Sequence, residues 1–323
     1  MSYLVWVGFF VLFIGVLVLD LAVLHRESRA MSVRQALGWT VVWITVALSF
    51  SGLVYAVYEY HWFGWRIAPD APAGGEAMIQ YITGYLLEWS LSVDNIFVIA
   101  VIFTYMKIPP QYQYRVLFWG IIGAILLRGA MIAAGAVLIH AFDWMFYVFG
   151  AILLLSAARM LKSDEEQFDP GKSVLVKIAR RVYPVTEQLD GDRFFTLVNG
   201  ARAATPLFVT LLLVDFADVV FAVDSIPAIF AVTQEPFIVF TSNAFAILGL
   251  RALYFAIAGL MMMFKYIKFS LIFILGFVGV KMMLHHHLQI PHAISLGVIV
   301  AFLAIGILAS LWVSRKREVT GDS

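Results

Sequence analysis

Nine runs of predominantly apolar residues follow one another along this chain of 323 residues, each about as long as a bilayer-crossing helix. They fall at roughly 3–24, 37–59, 79–106, 116–138, 143–161, 205–232, 237–264, 267–284 and 291–313. In hydrocarbon every backbone N–H and C=O must be paired inside its own segment or in a closed barrel. Runs this long read as helices, so the chain is expected to be all-α: one polytopic membrane bundle over residues 1–323. The first run lacks the basic start and small-residue cleavage site of a removed signal peptide.

Composition fits this. Charged residues make up 13% of the chain, against about 25% in soluble proteins. A net charge of +1 offers no field for nucleic acid. There are no cysteines, which removes disulfides, thiolate metal sites and cysteine nucleophiles. No Walker, H-E-x-x-H or G-x-S-x-G motif occurs, so nothing points to an enzyme.

Loop charge sets the expected orientation. One set of alternate loops, with the C-terminal tail, carries 17 of the 22 basic residues, and the other set carries Arg66 alone. The remaining four, Arg128, Arg159, Arg251 and Lys281, fall inside spans. This places the N-terminus outside and the C-terminus in the cytosol. The longest cytosolic loop, 162–204, holds seven basic and seven acidic residues. Its Val174–Val185 stretch reads as a helix lying on the membrane surface.

The chain carries a weak internal duplication. Glu88 and Asp94-Asn95-Ile96 match Asp218 and Asp224-Ser225-Ile226, each an acid, five residues, Asp, a small polar residue and Ile. Arg128 and Arg251 close similar apolar segments, and Arg159-Met-Leu resembles Lys281-Met-Met-Leu. The matches run in the same order over spans 3–5 (residues 79–161) and 6–8 (residues 205–284). The last span and basic tail, 285–323, follow. Three spans per unit is an odd number, so the second unit re-enters the membrane from the opposite side. Such inverted repeats place transporter sites near the midplane, at the repeat interface.

Glu88, Asp94, Asp215, Asp218 and Asp224 all lie within spans 3 and 6. A carboxylate at the bilayer centre costs at least about 2.5–3.5 kcal/mol. Arg128 and Arg251 can balance two of the five, and three remain to bind protons or a cation. Carboxylates with the Asn95 amide and the Ser225 hydroxyl form a hard oxygen set suited to Mn²⁺, Mg²⁺ or Ca²⁺. Six residues advance a helix about 9 Å and turn it about 240°. Glu88 and Asp94 therefore do not share a face, nor do Asp218 and Asp224. Either each pair is split between roles, or the helix breaks, which Pro227 would permit in span 6. Asp215 and Asp218 do share a face. Asn243 either completes the site or bonds between helices. Asp20 is expected to serve the end of span 1, and Arg159 and Lys281 to reach for the interface. His285-His286-His287 reads first as a solvated outer turn, with a weak metal vestibule as the other reading. Met261–Met263 reads as lipid-facing packing.

The segments Glu88…Leu91-Ser-Val-Asp-Asn95, Phe221-Ala-Val-Asp-Ser-Ile-Pro-Ala228 and Ser242-Asn243…Gly249-Leu-Arg-Ala252 resemble the TerC family of membrane proteins, and within it the Alx-like branch. The resemblance runs from span 1 to span 9. It implies export of Mn²⁺ as transported substrate across the bacterial inner membrane; the three excess embedded acids in an inverted repeat add the expectation of alternating access in exchange for protons. It carries metal roles onto Glu88, Asp94, Asn95, Asp218, Asp224 and Ser225, and more weakly onto Asp215 and Asn243. The expected partners are a divalent metal ion, protons and the lipid bilayer, with no organic cofactor. Arg128 and Arg251 would balance charge when the metal has left. The rival readings are an exporter of an organic cation or amino acid, and a non-transporting membrane factor for metal homeostasis.

Overall fold

A computed structural model describes residues 3–24, 32–62, 72–142, 144–162, 185–186, 188–198, 201–258, 267–284 and 290–320. Among these residues there are nine helices: α1 Tyr3–Leu24, α2 Val33–Glu59, α3 Gly74–Tyr105, α4 Pro110–Ala141, α5 Met145–Lys162, α6 Pro206–Phe230, α7 Pro236–Ala258, α8 Ile267–Met283 and α9 His292–Thr320. Eight are long and apolar enough to cross a membrane, and α8 is a 17-residue apolar helix beside them. The protein is a polytopic helical membrane bundle.

Local chemistry explains the helix starts. Ser32 caps α2 in a reciprocal capping box with Gln35. Proline opens α4 and α6, where its missing N–H would have had no partner. Helices α3 and α4 each have 32 residues, about 48 Å at 1.5 Å per residue, so they outreach a hydrocarbon layer of about 30 Å. The α6 helix runs unbroken past Asp218 and Asp224, with Pro227 in its last turn. The break that Pro227 would permit is therefore not where those two acids lie.

Two large apolar cores meet inside the bundle, with a small third cluster of Ile121 and Ala124 of α4 against Ile247 of α7. One gathers α3, α4, α5, α6 and α8 with the C-terminal half of α7. The other is aromatic: Phe9 and Phe13 of α1, Trp43 and Phe50 of α2, Tyr81 and Tyr85 of α3, and Phe237 and Phe245 of α7. Helix α7 is almost wholly enclosed by protein. Large apolar side chains such as Leu126, Val137, Leu155 and Leu308 lie exposed on the other helices, as on a lipid-facing surface. Small residues set the close approaches between helices. A Cβ on Gly150 of α5 would sit 3.0 Å from the Gly279 carbonyl of α8, and one on Gly84 of α3 would sit 2.9 Å from Ser242 Oγ of α7.

Within the long loop the structure describes a two-stranded antiparallel hairpin, β1 Phe195–Val198 and β2 Ala201–Ala204, with Phe195 opposite Ala204. The sequence signal for it is Asn199-Gly200 between the strands, a favoured hairpin turn pair. The expected surface helix at Val174–Val185 lies outside the described residues except for Val185, which makes an isolated bridge to Ala204. His285–His287 and Met261–Met263 also lie outside them.

Candidate cation site

A single guanidinium organises the centre of the bundle. Arg128 projects from α4 and is 1% exposed. Its Nε donates to Asp218 Oδ2 at 2.9 Å and its Nη2 to Asp218 Oδ1 at 2.6 Å, a bidentate pair with α6. Its Nη1 donates to Glu88 Oε1 of α3 and, at 3.3 Å, to Ser225 Oγ of α6. The other oxygen of Glu88 accepts from Asn243 Nδ2 of α7 at 2.9 Å. Glu88 is fully buried, and Ser225 and Asn243 are each 1% exposed. Four helices thus contribute to one network, which holds two carboxylates and one guanidinium. Its formal charge is −1.

Asp215 lies one turn from Asp218 on α6, against a side-chain-free notch on α4. A Cβ on Gly123 would fall 2.8 Å from both Asp215 carboxylate oxygens, and one on Gly120 would fall 3.6 Å from Oδ1. Asp215 Oδ1 is buried without a hydrogen-bond partner among the described residues. Asp224 faces elsewhere. Its Oδ1 accepts from Ser156 Oγ of α5 at 2.5 Å. The six-residue spacing on a continuous helix produces this division, with Asp218 toward α4 and Asp224 toward α5. Asp94 lies within α3, and its side chain is outside the described residues.

Asn95 is 3% exposed, and its Oδ1 is buried without a partner among the described residues. It lies seven residues beyond Glu88, on the same face of α3. Ser92, four residues beyond Glu88, is 1% exposed, and its Oγ is likewise unpartnered. Sequence reasoning passed over Ser92, although its spacing from Glu88 and Asn95 was visible. A narrow crevice between α4 and α7, with no room for a water-sized sphere, is lined by Ile125, Arg128, Gly129, Ile132, Phe240, Asn243, Ala244 and Ile247. Phe240 fits there because Gly129 has no Cβ; one would sit 3.0 Å from its ring.

Arg251 does not join the acids of α3 and α6. Its Nη2 donates to Asp20 Oδ2 of α1, its Nη1 to Tyr114 Oη at 2.9 Å, and the guanidinium lies 4.7 Å from the Tyr114 ring centre. Asp20 is 6% exposed, so it is a buried counter-ion rather than an end-of-helix residue. Lys281 also departs from expectation. It is 9% exposed, and its Nζ donates to Ser295 Oγ of α9 at 2.9 Å instead of reaching for the interface. Arg159 is exposed, as a residue reaching for the interface would be.

The arrangement gathers hard oxygen donors at bilayer depth around one cation that belongs to the protein. Hydroxyl, amide and carboxylate oxygens of this kind suit a small divalent ion.

Residues 73–318 match the family described as "Integral membrane protein TerC family". The chain is 46% identical over 315 residues to a Myxococcus xanthus protein named "Uncharacterized membrane protein STKORF319", covering 98% of this chain and 94% of that one. It is 43% identical over 318 residues to a Salmonella typhi protein named "Putative membrane-bound redox modulator Alx", covering 98% and 96%. The protein of that name from Escherichia coli K12 is 42% identical over 316 residues, covering 98% and 96%. No solved structure matches the chain.

Proposed function

Because this chain belongs to the TerC family of integral membrane proteins, we propose that it is a secondary transporter that exports Mn²⁺ across the bacterial inner membrane in exchange for protons. The observation that carries this reading is the network of Glu88, Asp218 and Arg128, in which one guanidinium serves two buried carboxylates while the neighbouring Asp215 keeps a buried, unpartnered oxygen. A structural ion pair needs one acid for one base. A site that alternates between metal and protons needs the surplus.

In this reading Glu88 and Asp218 are the charged ligands, with Asn243, Ser225 and Asn95 as neutral oxygens. Arg128 holds the two carboxylates when the metal has gone. Asp94, Asp215 and Asp224 bind metal or protons along its path. The pattern of helix packing supports an inverted repeat. Exchanging α3, α4 and α5 for α6, α7 and α8 converts the α3–α7 packing into the α6–α4 packing, and returns α3–α6, α4–α7 and α5–α8 to themselves; all five pairs pack together. The 17-to-1 loop charge supports an external N-terminus and a cytosolic C-terminus.

The name carried by the enterobacterial relatives points to redox balance. With no cysteine, this chain supplies no thiol chemistry, and an effect on redox state would follow from the metal it moves.

The test is flux in proteoliposomes under a pH gradient, with Mn²⁺, Mg²⁺, Ca²⁺ and lysine as separate cargoes. Wild type should move Mn²⁺, and Glu88→Gln and Asp224→Asn should not. Lysine movement would favour the organic-cation reading. No movement of any cargo would favour a non-transporting factor. Mn²⁺ flux that survives both substitutions would refute the site.

A further inference from the structure

Away from the Arg128 network, three polar side chains meet at the end of the bundle opposite the basic loops. Glu76 and Gln80 lie one turn apart on α3, and His292 opens α9. His292 Nε2 is 3.3 Å from Glu76 Oε1 and 3.3 Å from Gln80 Nε2. Gln80 is 5% exposed; its Oε1 and His292 Nδ1 are buried without a hydrogen-bond partner among the described residues. The two ends of a carboxamide exchange places by a half-turn, so the Gln80 oxygen can occupy the position that faces the imidazole.

These separations match a coordination sphere. Adjacent ligands of an octahedral ion with bonds of about 2.1–2.4 Å lie about 3.0–3.4 Å apart. A carboxylate oxygen, an amide oxygen and an imidazole nitrogen form a mixed set that binds a first-row divalent ion. Each of the three also has a plain structural use, since the pairs tie α3 to α9. That use leaves one end of the buried Gln80 carboxamide, whichever way it is turned, and His292 Nδ1 without a partner among the described residues.

We propose that Glu76, Gln80 and His292 form a second divalent-cation site, at the mouth through which cargo leaves. The inference rests on the transport reading only for the identity of the ion and its direction of travel. Two features make the site weak. It has one carboxylate, where the central network has two. The ammonium of Lys281 sits beside it, bonded to Ser295 one turn along α9 from His292. A weak site suits an exit, because an ion held tightly there would not be released.

The test uses the full chain, untagged and in detergent, with Mn²⁺ added, and reads nitrogen hyperfine coupling by pulsed electron paramagnetic resonance. The residues assigned to the central network would coordinate through oxygen, so imidazole coupling reports the mouth. Wild type should show the coupling, and His292→Gln should abolish it. Glu76→Gln should weaken Mn²⁺ binding at this site by roughly tenfold or more. Replacing His285–His287 by Gln should leave the coupling in place. Absence of coupling in wild type, its persistence in His292→Gln, or its loss with His285–His287 would overturn the proposal. Glu88→Gln with Asp218→Asn should keep the coupling at the mouth, so failure of the central site and failure of this one are told apart.

Discussion

Removing the Arg128 guanidinium while keeping its carboxylates should be among the most damaging single changes this protein can suffer. In Arg128→Met, Glu88 and Asp218 would face each other with no cation between them. At an effective dielectric constant of 20, unit charges about 4 Å apart interact by about 4 kcal/mol. Two such attractions would disappear, and the repulsion between the acids, of similar order, would be exposed. Part of this is offset because arginine no longer has to be desolvated. Removing one member of a buried pair generally costs about 3–5 kcal/mol, and this network falls in that range. Arg128→Met should therefore lower the apparent Tm in detergent by on the order of 10 °C, followed by circular dichroism. The triple variant Arg128→Met, Glu88→Gln, Asp218→Asn removes the stranded charges and should recover most of the loss. Added Mn²⁺ should rescue the single variant but not the triple, by about 2.7 kcal/mol at 100 times the dissociation constant. A single variant as stable as wild type, or a triple variant no better than the single, would refute this reasoning.

Gly150→Ala and Gly123→Ala should separate packing from function. The added methyl at Gly150 meets the Gly279 carbonyl at 3.0 Å and the Met283 backbone nitrogen at 3.2 Å, atoms that cannot swing aside, so stability should fall by about 1–3 kcal/mol in the same melts. At Gly123 the three atoms nearest the methyl all belong to the end of the Asp215 side chain, which can swing aside, so flux should fall with little change in Tm. Asp20→Asn should destabilise the protein through the Arg251 pair while leaving Mn²⁺ affinity at the central acids unchanged by equilibrium binding. Glu235, in the loop between α6 and α7, has its carboxyl held above the usual range by burial, against the opposing effects of the Tyr58 hydroxyl and His140. Its contribution to stability is therefore full below the unfolded-chain value and lost as pH rises through the folded one. Glu235→Gln should flatten that arm of a Tm-versus-pH curve.

Spans and acids were legible because bilayer chemistry writes them into local sequence. The first helix, described over Tyr3–Leu24, covers the whole of its apolar run. Helices α3 and α4 start earlier than their runs, since Gly74 and Pro110 begin helices in segments too polar to be read as membrane. The six-residue spacing of Asp218 and Asp224 left a choice between a broken helix and divided roles, and continuous α6 takes the second. Partners were not legible. Arg128 and Arg251 occupy matching positions in the sequence duplication, but Arg251 finds its carboxylate on α1, 231 residues away in sequence and outside the duplicated segments. Lys281 near a helix end reads as a side chain that escapes to water, yet α9 covers it. Neither depth nor spacing within one helix says which neighbour will lie against it.

The two apolar cores have a mechanical consequence. Between them α4 meets α7 through Ile121, Ala124 and Ile247 and through a thin crevice where the Phe240 ring sits over Gly129. Apolar contacts act only at short range, so even a small gap there would forfeit much of the attraction. The polar bonds that Arg128 and Asn243 make to Glu88 add attachments aimed at single atoms. Glu88 of α3 is held from α4 and α7 together, so a change of charge at this one carboxylate acts on three helices at once.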